Sequence, residues 1–119
     1  MPLSKIAAQF AAEIKNHDWS DAPWRNDRAG HQRPRDNPGR DTKFLSDGEA
    51  ANIRMNVMWV TAQVLGYNDP NFDAHEFADA CGVRSRNNDG SKSGIISHGF
   101  RYNEDGSYAE PGGFPEMEQ

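Results

Sequence analysis

LSDGEAANIRMNVMWVTAQVLGY, residues 45–67, is the one stretch long and apolar enough to be the spine of a folded domain. Ser46 with Glu49 three residues later has the spacing of a capping box, hydroxyl to backbone and carboxylate back to the cap N–H. Gly66 stands where a helix of this length should stop, at the left-handed position that glycine takes without a Cβ penalty. Two apolar rows run between them at helical spacing: Ala50, Ile53, Val57, Val60 and Val64, then Met55, Met58, Ala62 and Leu65. Only Glu49, Asn52, Asn56 and Gln63 make a polar stripe. A helix apolar round most of its circumference is expected at the centre, covered on several sides, with Val57 and Val64 buried.

Upstream, PLSKIAAQFAAEIKNH carries Leu3, Ile6, Phe10 and Ile14 at three- and four-residue steps, a narrow apolar stripe predicted to lie across the long helix. Trp19 and Trp24 follow around Pro23 and read as lids over the core. Residues 25–43 have no large apolar side chain and carry six basic against three acidic groups, so they read as a polar, arginine-rich loop. Arg28, Arg33, Arg35 and Arg40 there are candidate partner contacts, since guanidinium forks suit phosphates and carboxylates.

Downstream, Asp73 with Glu76 caps a helix over 73–81, Phe72 can close on Phe77, and Gly82 ends it. Asn103–Gly106 reads as a hairpin turn, and Ile96, His98, Phe100 and Tyr102 alternate as a half-buried strand does, although Ile95, Ile96, Gly99 and Phe100 also fit a short helix. The tail from Pro111 is acidic and glycine-rich and is expected to fray. The expected fold is therefore one mainly α domain over 1–119, with helices near 4–16, 46–65 and 73–81 and a C-terminal β-hairpin.

Composition narrows the function. Hydrophobic residues are 35% and the net charge is −5, but residues 83–102 hold four basic side chains against one acidic, flanked by acidic segments. Such a bipolar surface bears on partner choice. Cys81 stands alone, which excludes an internal disulfide. The N-terminus has no signal-peptide pattern and no run is long enough to span a bilayer, so the expected location is the cytoplasm, without a membrane partner. His17, His31, His75, His98 and Cys81 share no ligand spacing, so no metal is expected. No nucleophile motif or phosphate loop accompanies the carboxylates, and neither an enzyme nor a cofactor is expected.

HEFADACGV, residues 75–83, resembles the first half of a helix-turn-helix, with Ala78 at the close contact and Gly82 in the turn. The resemblance implies a recognition helix, here displaced by RSRNNDGSKSG to begin near Ser91, and a wing at the Asn103–Gly106 hairpin. Arg84, Arg86, Lys92 and Arg101 would then face duplex DNA, and the first expectation for function is a small regulator that binds DNA through this degenerate winged helix-turn-helix. The alternative is a protein-binding inhibitor or adaptor using the arginine loop and Trp59, which is either covered by the Trp19–Trp24 segment or an exposed interface anchor. In DRAGHQRPRDNPGRDT, residues 45–67 and DPNFDAHEFADACGV, about half its length, the chain is similar to small uncharacterised proteins of actinobacterial phages. That resemblance implies no catalytic residue, only action inside an infected cell on DNA or on a host protein.

Overall fold

The computed structural model describes residues 3–24, 26, 29–30 and 44–113. Four α-helices and no β-strand occur among them: α1 Lys5–Asn16, α2 Asp47–Asn68, α3 Ala74–Ala80 and α4 Gly94–His98, with a 3-10 turn at Ala22–Trp24. The expected C-terminal β-hairpin is therefore corrected, and with it the wing of a helix-turn-helix. Tyr102 and Tyr108 form one antiparallel bridge across the turn, and no ladder extends from it. The strand expected through Ile96 and His98 is a short helix instead. Ser93 caps it through Ile95 N–H, and it stops at Gly99, where a Cβ would collide with the Trp59 ring. Gly99 thus caps the helix and does not interrupt it, and only glycine leaves room there for the indole, while Gly94 stands at the first helical position with open space where a Cβ would point.

The helix starts follow local chemistry. Ser4 accepts from Ala7 N–H at 3.2 Å, and Ser46 and Glu49 form the reciprocal capping box. Asp73 accepts from His75 and Glu76 N–H, while Phe72 closes on Phe77 with ring centroids 5.5 Å apart. The Glu76 N–H is the main reason the Asp73 carboxyl is held below its usual range. At the other end of α3, Gly82 lies at φ +79 and Val83 N–H reaches back to Ala78 C=O at 2.9 Å, a Schellman closure. α2 does not stop at Gly66. It runs on to Asn68, and Gly66 is a packing position, since any Cβ there would strike the Tyr108 ring.

The core joins Ala7, Ala11 and Ile14 of α1 to Met58 and Ala62 of α2, Phe77 and Ala78 of α3, and Cys81, Val83, Ile96 and Phe100. Two expectations about facing are corrected here. α1 buries its alanine row, leaving Ile6 and Phe10 exposed, because small side chains let it sit close against α2 and α3. α2 buries the Met58–Ala62 row, whereas Val57 is half-buried and Val64 is 44% exposed. Among the described residues the helix is thus covered chiefly on one side. Trp19 does act as a lid, donating its Nε1–H to Ile14 C=O at 3.0 Å.

Candidate protein-interaction surface

The uncovered side of α2 carries the other apolar row. Val60 is 72% exposed and Tyr67 47%, with Ile53 and Val57 half-buried beside them. Ile53, Val57, Val60, Val64 and Tyr67 follow one another at steps of four, three, four and three, the spacing of a seam meant for another helix. No charged residue occurs from Met55 to Asn68. Single exposed apolar residues are ordinary on a protein surface, whereas a continuous apolar row, here with Arg101 at its border, is a candidate contact face. Val60 and Val64 form one wall of a shallow groove of about 310 Å³, with Arg101, Pro111, Gly112 and Gly113 on the other.

Next to this face stand two turns built on the same sequence. Asn-x-Asp-Gly-Ser occurs at 87–91 and again, sixteen residues on, at 103–107. In each the Asn N–H donates to the Ser C=O at 2.8 Å, the Asn amide reaches the Ser hydroxyl, and the Asp carboxylate accepts both Ser N–H and Ser O–H. The recurrence is the signal that finds both turns, whereas strand alternation points only to the second.

Different side chains hold the stems. Gln63, a member of the supposed polar stripe, is 4% exposed and turned inward. Its Oε1 accepts from Arg101 N–H at 3.0 Å, while its Nε2 donates to Arg101 C=O at 3.0 Å and Ala109 C=O at 3.1 Å. The amide thus substitutes for a neighbouring strand. The first stem is held from α3: Ser85 O–H donates to Asp79, and His75 Nε2 meets Ser93 C=O at 2.9 Å. Beneath the second turn Tyr108 stacks on Phe100 with centroids 5.2 Å apart, and burial pushes the Tyr108 hydroxyl up to about 12.

The four residues proposed to face DNA divide between the turns. Arg84, Arg86 and Lys92 are exposed on the first, where the Arg84 guanidinium bonds Asn88 Oδ1 at 2.6 Å and Arg86 C=O at 3.2 Å. Arg101 is half-buried in the second, beside Glu104, Asp105 and Glu110. The first turn also intervenes between α3 and the five-residue α4, so no tight helix-turn-helix forms. Trp59 faces inward, its ring on Gly99 and its Nε1–H donating to Ile96 C=O at 2.9 Å. Arg28, Arg33, Arg35 and Arg40 lie outside the described residues, as do positions 114–119 of the tail.

Burial pushes the Cys81 thiol up to about 12, which leaves it protonated and a poor nucleophile. No group of three or more His, Cys, Asp or Glu among the described residues is placed to hold a metal ion, and no described helix is long and apolar enough to cross a membrane. No protein-family model matches the chain, and no curated protein or solved structure is significantly similar to it.

Proposed function

We propose that this protein is a non-enzymatic adaptor or inhibitor that works by protein–protein contact, with the outer face of α2 as its interface. The uncharged row from Ile53 to Tyr67, half-buried at Ile53 and Val57 and exposed at Val60, Val64 and Tyr67, carries the reading, on a helix whose opposite face already supplies the core. A host protein, met in the cytoplasm of an infected cell, is the partner class that the likeness to phage proteins suggests. The test compares wild type with Val60→Asp as baits in a host lysate treated with nuclease. Val60 is too exposed for the carboxylate to unfold the chain, so a lost partner with an unchanged melt supports the interface. Capture at wild-type level would reject it.

A second reading keeps nucleic acid as the partner, because Arg84, Arg86 and Lys92 share one exposed turn. Phosphate contacts release counterions, so duplex binding through them should weaken steeply with salt. Arg84→Ala with Arg86→Ala should flatten that slope. Absence of duplex binding at low salt would remove this reading.

A further inference from the structure

We infer that the occupant of the α2 face is a second copy of the same chain, its α2 packed antiparallel. The inference rests on the reading of that face as an interface and names what covers it.

The row has the three-four alternation of a two-helix seam, with Ala50, Val57 and Val64 at one set of positions and Ile53, Val60 and Tyr67 at the other. Turned against itself about a twofold axis between residues 58 and 59, it is self-complementary, as a twofold interface requires. Val57 meets Val60, Ile53 meets Val64, and the smallest member, Ala50, meets the largest, Tyr67. A parallel pair would instead set Tyr67 on Tyr67 and Ala50 on Ala50, splaying one end and leaving a gap at the other.

Charge agrees with the antiparallel arrangement. Glu49 and Arg54 of one copy fall opposite the uncharged segment 63–68 of the other, so no like charges of the two α2 helices meet along the seam, and Arg101 stands at its rim. A parallel pair would look to Glu49–Arg54 bridges for support. Arg54 is turned into its own domain, however, its Nε buried and its stem lying by Gly82 and close enough to act on Cys81. The rim is low where the partner helix would lie, since Gly112 and Gly113 border Val60 and Val64. At the edges Asn56 and Thr61, both uncharged, flank the axis. Such a dimer leaves the basic and acidic turns, and Ile6 and Phe10 of α1, free for a target.

Light scattering on the full chain, with Val60→Asp alongside, tests the association. The mass of two chains for wild type and of one for a folded Val60→Asp is expected. Disulfide capture of single-cysteine variants tests the direction, with buried Cys81 out of reach. A mixture of Ala50→Cys and Tyr67→Cys chains should cross-link, while Tyr67→Cys alone should not, its two copies lying about 26 Å apart at 1.5 Å per residue. The reverse pattern would overturn the antiparallel arrangement, and a Val60→Asp dimer would move the interface elsewhere. A single-chain mass for wild type, with Val60→Asp losing a heterologous partner, would sink the inference and leave the proposed function standing. A single-chain mass with capture unchanged would sink both. Dimerisation that appears only on removal of residues 114–119 would make that segment the occupant.

Discussion

Asn87 and Asn103 close the same turn on Ser91 and Ser107, with identical main-chain bonds of 2.8 Å and a glycine at φ +89 in each. Around these shared tips the neighbours differ. Over 84–94 three basic side chains stand against one carboxylate, while over 100–110 one stands against three. The first stem hangs on Asp79 and His75 of the seven-residue α3, the second on the neutral amide of Gln63 in the 22-residue α2. Five residues set the shape of a turn by bonding among themselves. Attachment and charge come from residues outside that set, so one local structure serves two surfaces of opposite sign.

The sharpest way to break this comparison is at the attachments. Gln63→Leu keeps the volume and removes three bonds, stranding Arg101 N–H and Ala109 C=O, while Arg101 C=O still accepts from Ala109 N–H at 2.9 Å. At 1–3 kcal/mol for each unpaired group, partly relieved by water, a loss of about 2 kcal/mol is expected in urea unfolding. Asp79→Ala strands only the Ser85 hydroxyl, from an exposed partner, and should cost about 1 kcal/mol. Equal losses would show that the stems are held alike, whatever the bond pattern.

Much of this was legible in the sequence, and what was not has physical causes. The starts of α2 and α3 are written in Ser46 and Asp73, because a cap is a local bond between near neighbours. Which side of α2 faces inward is not local. Its two rows are equally apolar, and the choice falls to Tyr108 on Gly66 and Trp59 on Gly99, contacts from far along the chain. In α1 the alanines compete with Ile6 and Phe10, and closeness of approach prevails over size. Gln63 has the sequence of a solvent-facing residue, and only the stem brought to it from Arg101 and Ala109 makes it a core group. The α2 seam was visible as an apolar row, but its exposure was not.

A smaller effect tests whether the two tips share one conformation. Gly90 and Gly106 both lie at φ +89, with open space where a Cβ would point. Alanine at either therefore meets no neighbour and bears only the cost of the left-handed region, about 1 kcal/mol by thermal melt. The two losses should agree. A tip that accepts alanine freely would have a different backbone in solution.

The smallest expected effect lies in the paired carboxylates, and it asks whether charge reaches into the turn. Asp89 and Asp105 are both held below the usual carboxylate range, first by the hydroxyl of Ser91 or Ser107 at 2.6 Å and then by the same serine's N–H. A carboxyl depressed by folding stabilises the folded form at pH above its unfolded value. That contribution fades as pH falls through the depressed one, so acid should loosen both turns and neutral pH should favour them. Both groups are fully exposed and salt-screened, so the signature belongs to the titration of each carboxyl by NMR rather than to a melt. If the serine bonds dominate, the two should titrate together, although Arg84, Arg86 and Lys92 surround one while Glu104 and Glu110 flank the other. Convergence would confirm that each turn is a self-contained set of bonds. A gap that closes on adding salt would show that the opposite charges act on the tips, and that the two surfaces are tuned as well as coloured by their neighbours.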